Sequence, residues 1–130
     1  MRTWGGKSSA GWREIAGNRY YFRSKWEANY AKHLDFITSK GLIKEWKHEP
    51  ETFWFDEIKR GVRSYVPDFR ITENDGKVWY AEVKGYYDSK TLTKIKRFRK
   101  YYPQFELHLI DKKWFGKNNG LMRNFIKDWE

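Results

Sequence analysis

The sequence predicts an α/β fold in which a central mixed β-sheet is flanked by helices, with the element order αβββαβ and a short C-terminal helix. Three observations carry this prediction. A segment with helical apolar spacing precedes a β-rich region, an Asn-Asp-Gly turn joins two runs of that region, and a basic helical segment separates the last run from a further strand. A helix at that point permits a crossover connection, so the fourth strand can pair in parallel while the first three form an antiparallel meander.

The chain has the length of a single domain, residues 1–130, with three predicted parts. Residues 1–18 are Gly-rich and basic and lack periodicity, which predicts a flexible arm, either a plain tail or a segment that orders on DNA. Residues 19–112 hold the α/β core. Residues 113–130 are expected to carry a C-terminal amphipathic helix, which follows a flexible link at 116–120.

The first predicted helix covers residues 24–39. Ser24 suits the N-cap, and Glu27, three positions later, completes a capping-box pattern. Gly41 suits the C-terminal stop. Apolar residues recur at helical spacing, namely Trp26, Tyr30, Leu34 and Ile37. Glu27 borders this inward face, so it is interpreted either as part of the cap or as part of a functional site.

Three β-rich runs follow, at residues 43–57, 62–72 and 77–84, and Pro50 interrupts the first of them. Asp75-Gly76 between the second and third runs is a strong hairpin signal. The run Phe53-Trp54-Phe55 favours a place in the core over a platform for base stacking.

The second predicted helix covers residues 89–101 and is strongly basic. Its apolar stripe comprises Leu92, Ile95 and Phe98, and Pro103 ends it. Residues 105–110 alternate between apolar and polar and predict the fourth strand.

The composition favours a polyanionic partner. The formal net charge is +10, and there are eight Trp, nine Tyr and nine Phe among the 130 residues. Clustered cations interleaved with aromatic rings suit nucleic acid, although a solvated basic surface is the simpler alternative. With no cysteine in the chain, a metal would have to be held by oxygen or histidine ligands. No run is apolar and long enough for a membrane span or a signal peptide, so a cytoplasmic protein without membrane contact is expected.

The residues that suggest chemistry lie on the predicted hairpin. Glu82 and Lys84 are two apart and so face the same side of a strand, and the turn lets Asp68 reach the same end of the sheet. Two neighbouring carboxylates repel each other unless they share a hard cation such as Mg²⁺. The alternative is a surface cross-strand ion pair, which is common on half-exposed sheets.

The string Pro67-Asp68…Glu82-Val83-Lys84 resembles the motif of the PD-(D/E)xK nuclease superfamily. The predicted αβββαβ order, Glu27 in the first helix and Gly85 after the lysine strengthen the resemblance, which covers residues 24–110. Within that superfamily the chain is most similar to small phage-encoded, archaeal-type Holliday-junction resolvases, whose core is restriction-endonuclease-like. A phage origin would place the protein in the host cytoplasm.

The resemblance implies roles for individual residues. Asp68, Glu82 and the Val83 carbonyl would bind Mg²⁺, for which Mn²⁺ can substitute, and Glu27 would complete the site directly or through water. Lys84 would be the catalytic lysine. Hydrolysis of the scissile phosphodiester would leave a 5′-phosphate and a 3′-hydroxyl.

Several further residues are candidates for DNA binding. Ser24 is interpreted as a helix cap or as a phosphate contact, and Lys94 and Lys96 as contacts to the scissile strand or as a solvated face. The candidates for contacts to the DNA backbone are Arg13, Arg19 and Arg23.

The function expected from these features is metal-dependent cleavage of four-way DNA junctions by a homodimer, since two opposed strands need two active sites. The dimer contact would involve the C-terminal helix or the strand that begins at Ile43. The alternatives are a site-specific or nicking endonuclease of restriction or repair type, and a DNA-binding module without activity. The three histidines share no ligand spacing, which argues against a histidine-based site, and no phosphate-loop pattern suggests use of ATP.

Overall fold

The computed structural model describes residues 9–130, and this part of the chain is a mixed α/β structure built around a four-stranded sheet. The sheet order is β3-β6-β7-β8, with β3 at Glu45–His48, β6 at Phe69–Thr72, β7 at Val78–Val83 and β8 at Glu106–Ile110. The first three of these strands pair antiparallel and β8 pairs parallel to β7. The predicted mixed sheet, with its meander and its parallel fourth strand, is confirmed.

The two helices predicted within the core are also present. Helix α1 covers Lys25–Ser39, and the Ser24 hydroxyl caps it by accepting the Glu27 N–H at 3.1 Å. Helix α2 covers Ser89–Tyr101 and forms the crossover between β7 and β8. Within the predicted stripe of α2, Ile95 and Phe98 are buried, but Leu92 is 53% exposed.

Helices cover both faces of the sheet. On one face, α1 packs in a cluster with Phe69, Ile71 and Ala81. On the other face, α2 packs in a second cluster with Tyr80 and Leu107. Alternation along β7 therefore directs Tyr80 and Glu82 toward the α2 side.

The prediction of a flexible N-terminal arm at residues 1–18 is wrong for its described part, and residues 1–8 lie outside the described residues. Strands β1 (Gly11–Ile15) and β2 (Asn18–Phe22) form an antiparallel hairpin. Ala16 and Gly17 at its turn both have positive φ, 53° and 82°, as a tight hairpin turn requires. Ile15 and Phe22 are buried in the core, and this burial holds the hairpin to the domain.

Two further boundaries differ from the prediction. The first two β-rich runs are each divided, so that β4 (Phe53–Trp54) and β5 (Ser64–Tyr65) pair separately from the main sheet. Phe53 and Phe55 are buried as predicted, while Trp54 is exposed.

The C-terminal region differs as well. Helix α3 covers Lys112–Phe125 and runs through the segment 116–120 that was expected to be a link, because buried Phe115 and Met122 anchor it on both sides. The predicted helix at 113–130 therefore ends at Phe125, and the residues after it are not helical. Among the described residues, no helix combines the length and apolar character needed to cross a membrane.

Candidate active site

A pocket of about 310 Å³ lies where β6 begins and β7 ends, and three carboxylates from three elements line it. Glu27 comes from α1, Asp68 immediately precedes β6, and Glu82 lies on β7. All three are buried, with exposures of 4%, 8% and 6%. The register that pairs Phe69 with Ala81 brings Asp68 and Glu82 side by side, as the hairpin spacing predicts.

Asp68 is held against the backbone of β7. Its Oδ2 accepts the Val83 N–H at 2.7 Å, and Val83 lines the same pocket. Burial, followed by the charges of Glu82 and Glu27, raises the pKa of Asp68 well above its ordinary value. The Val83 hydrogen bond and Arg23 offset only part of this rise.

Glu82 is in a similar position. Burial raises its pKa, while a 2.5 Å hydrogen bond from the Tyr65 hydroxyl and the charges of Lys84 and Lys94 act in the opposite direction. Both lysines line the pocket, and both are partly buried. The arrangement therefore concentrates negative charge in a poorly solvated space and surrounds it with cations.

Glu27 is fixed from two sides. Its Oε1 accepts the Arg23 N–H at 2.9 Å, and its Oε2 lies 2.8 Å from His48 Nε2. The His48 side chain is 8% exposed and packs against the rings of Phe22 and Phe69. His48 contradicts the expectation that no histidine belongs to the site, and the sequence gives no signal for it because no local spacing links it to a glutamate 21 residues earlier.

Glu27 also belongs to a compact group. The ligand atoms of Glu27, His48 and Glu49 all lie within 4.8 Å of one another. Glu49 is exposed, and its carboxylate pairs with the Arg23 guanidinium at 2.5 Å. Within residues 9–130, the ligand atoms of this group lie that close together. Those of the predicted set, Glu27, Asp68 and Glu82, line one pocket but are more widely separated.

The structure places the predicted DNA-binding residues in three regions. Arg23, Ser24 and Lys94 line the pocket, and the Arg23 side chain is 70% exposed at its rim. Lys96 lies instead in a separate cleft on α2, beside Ile58 and Tyr101.

The other two arginines lie on the β1–β2 hairpin. Arg13 is engaged within the fold, because its Nε and Nη2 both donate to the Glu130 carboxylate at 2.7 Å. Arg19 is exposed, and its guanidinium carbon lies 4.6 Å from the centre of the Trp12 ring.

Comparison with known families places the chain in one of them. The chain belongs to the family described as "Protein of unknown function (DUF1064)", whose model matches residues 7–116. The matched range includes every residue that lines the pocket. None of the curated proteins compared with the chain matches it significantly.

Proposed function

We propose that this protein is a metal-dependent DNA endonuclease of the PD-(D/E)xK class and that it resolves four-way junctions. One observation carries the proposal: three buried carboxylates from separate elements meet beside two lysines in one pocket of a strongly basic chain. The mixed sheet, with Asp68 immediately before β6, Glu82 on the adjacent antiparallel β7 and a helical crossover after them, supports a restriction-endonuclease-like core.

The donor set fits a hard divalent cation. The side-chain ligands are carboxylate oxygens, and burial raises the pKa values of both Asp68 and Glu82, with neighbouring carboxylates adding to the rise. Asp68, Glu82 and the Val83 carbonyl would hold Mg²⁺ or Mn²⁺, with Glu27 in direct or water-mediated contact. When bound, such an ion supplies positive charge at the scissile phosphate and lowers the pKa of a bound water.

The side chains around the carboxylates have distinct roles in this proposal. Lys84 lies on the Glu82 side of the strand and would stabilise negative charge that develops on the phosphoryl oxygens. Lys94 and Arg23 would hold the phosphate backbone at the mouth of the pocket. His48 and the Arg23 N–H fix the orientation of Glu27, so this carboxylate enters the reaction already positioned.

Junction resolution requires two such sites. Each chain carries one pocket of this composition among its described residues, and a C2 dimer would present two of them to opposed strands. Helix α3 supports such a contact, because its Leu121 and Phe125 are 54% and 59% exposed.

The test is a cleavage panel. The protein is incubated with a labelled four-way junction, a linear duplex, a flap and a single strand, each with Mg²⁺ or with chelator. Asp68→Asn is the inactive variant, and Glu106→Gln, which neutralises an exposed carboxylate at the other end of the sheet, is the matched control. Paired, symmetric cuts in the junction that disappear with chelator and in Asp68→Asn are expected.

The other outcomes separate the alternatives. Equal cutting of linear duplex would retain the chemistry but make the protein a site-specific or nicking endonuclease. Tight DNA binding without cleavage of any substrate would instead favour a non-catalytic binding module.

A further inference from the structure

The β1–β2 hairpin carries an aromatic and cationic face that the fold does not use. Its residues alternate, so Trp12, Glu14, Arg19 and Tyr21 are exposed while the side chains between them pack inward. Trp12 and Tyr21 are directly paired across the two strands and are 57% and 46% exposed. Large exposed rings that pair with each other are typical of a binding surface.

The rings are held in a defined arrangement. Trp12 and Tyr21 meet edge to face with their centroids 5.4 Å apart, and the Arg19 guanidinium covers part of the Trp12 ring at 4.6 Å. These contacts restrict the rotamers of all three side chains, which lowers the entropic cost of stacking a further ring on them.

The hairpin itself is firmly attached to the domain. Its inner face buries Ile15 and Phe22, Tyr20 lies 5.3 Å from the Trp46 ring, and Arg13 is bonded to Glu130. The outer face is thus presented from a fixed position.

That position adjoins the candidate active site. Arg23 lines the pocket and is only two residues beyond Tyr21, so their Cα atoms are at most about 7 Å apart. A DNA strand whose phosphate contacts Arg23 would therefore carry its next nucleotides onto the exposed rings.

We propose that Trp12, Arg19 and Tyr21 form a stacking surface for unpaired bases of the DNA strand that enters the pocket. The proposal rests on the proposed function and adds a substrate feature to it, namely a preference for unpaired bases next to the cleavage site. Base stacking on aromatic rings is sequence-tolerant, which suits an enzyme that selects structure.

Charge favours this occupant over a second copy of the chain. The net charge of +10 attracts a polyanion to the chain, whereas this face carries little negative charge with which the cations of a second copy could pair. Arg19 and Arg23 supply cations next to the rings, and Glu14 is the acidic residue on the same hairpin face.

The test measures binding in chelator, where no metal-dependent cleavage intervenes. The ligands are a fully paired duplex, the same duplex with a short unpaired stretch, and a third version in which the unpaired nucleotides are abasic. The abasic version keeps the phosphates and removes the bases, so the affinity ratio of the last two ligands isolates stacking. The variants are Trp12→Ala and Tyr21→Ala, and the control is Trp54→Ala, which removes a tryptophan that is 56% exposed on β4.

The wild-type protein is expected to bind the base-bearing unpaired stretch about 5- to 100-fold more tightly than the abasic one. Trp12→Ala and Tyr21→Ala should lose most of this ratio, Trp12→Phe should keep part of it, and Trp54→Ala should keep all of it. Arg19→Gln should mainly reduce the salt dependence of binding, because it removes a cation. Thermal unfolding of each variant confirms that the fold is retained.

A ratio near one for the wild-type protein would overturn this inference, as would a full ratio in Trp12→Ala. A Trp12→Ala variant that loses dimerisation but keeps the ratio would overturn it too and assign the face to a second copy. If junction cleavage is observed but the ratio is near one, only this inference fails. If the protein neither binds nor cuts DNA, the proposed function fails with it.

Discussion

Helix α1 separates three buried carboxylates from a partly exposed one, and the two regions differ in how their negative charge is balanced. On one side, Glu27 faces the pocket with Asp68 and Glu82. Asn29 and Lys32 lie two and five residues further on, so at 100° per residue they point to another side of the helix. There they hold Glu130, which also accepts from Arg13.

The pKa values express the difference. Burial alone would raise the pKa of Glu130, but hydrogen bonds from Arg13 and Lys32 bring it down to about 2. Asp68 and Glu82 are more deeply buried, and burial raises their pKa values; among the described contacts, no Lys or Arg side chain is hydrogen-bonded to either carboxylate to offset this rise. At Glu130, Arg13 and Lys32 compensate the negative charge, and the contact is structural. Uncompensated carboxylates such as Asp68 and Glu82 are typical of a site where a ligand would supply the positive charge.

The largest expected effect is a loss of cleavage activity when a carboxylate of the pocket is neutralised. Glu82→Gln should lower junction cleavage at least about a hundredfold, since it removes a ligand and charge from the site. DNA binding should persist or tighten, because an anion near the phosphate is lost. Steady-state cleavage and binding in chelator are the measurements, with Glu130→Gln as the comparison. Loss of DNA binding by a folded Glu82→Gln protein would contradict the assigned role.

His48 provides the next test. Within residues 9–130, His48→Ala leaves Glu27 with only the Arg23 N–H to orient it, and a loss of about 10- to 100-fold in cleavage or in Mg²⁺ affinity is expected. The control is His108→Ala, which removes an exposed histidine from β8. Calorimetric titration of Mg²⁺ into the DNA-free protein measures the effect independently of turnover. Equal Mg²⁺ affinity in the two variants would show that His48 does not position Glu27.

The compensated cluster should matter for stability and much less for chemistry. Glu130→Gln weakens the contacts of Arg13 and leaves Lys32, which is 6% exposed, without its anion. Because Glu130 itself is partly exposed, we expect the free energy of unfolding to fall by about 2 kcal/mol. Urea unfolding of this variant is compared with that of Glu106→Gln, which removes an exposed carboxylate and should lower the free energy of unfolding much less. Equal costs would remove the distinction between the two regions.

The smallest expected effect concerns pH. Asp68 and Glu82 take up protons at higher pH in the folded protein than in the unfolded chain, so in chelator they make the free energy of unfolding rise as pH falls toward about 4. Glu130 acts oppositely, since its stabilisation is present above about pH 4.5 and is lost as pH falls toward 2.

The double variant Asp68→Asn/Glu82→Gln isolates the first contribution. His33 makes the free energy of unfolding fall as pH drops below about 6.5, because burial lowers the pKa of His33 to about 4. This contribution is the same in both proteins and cancels in the comparison. The wild-type protein should gain stability relative to the double variant as pH falls. A constant difference from pH 8 to 5 would show that the two carboxylates are compensated after all.

The predicted and observed structures agree where the argument was local. Helix α1 begins at its predicted cap, Ser24, helix α2 has the predicted bounds, and the hairpin turn before β7 fixes which residues of β6 and β7 oppose each other. They disagree at β1–β2 and at α3, where local signals were weak. The hairpin lies across the boundary assumed at residue 18, and α3 contains two glycines that its packing against the core overrides.

The sequence by itself determined the α/β class, the mixed sheet and the meeting of Asp68 with Glu82, because strand alternation and turn length are properties of a short stretch of chain. The tertiary structure alone decided that His48 contacts Glu27 and that Arg13 binds Glu130 and does not line the pocket. It also decided that the hairpin presents its exposed rings beside Arg23. These contacts join residues 21 and 117 positions apart, or depend on how one element packs against another. No spacing in the sequence encodes such pairs, since they form only when burial of the apolar faces brings their elements together.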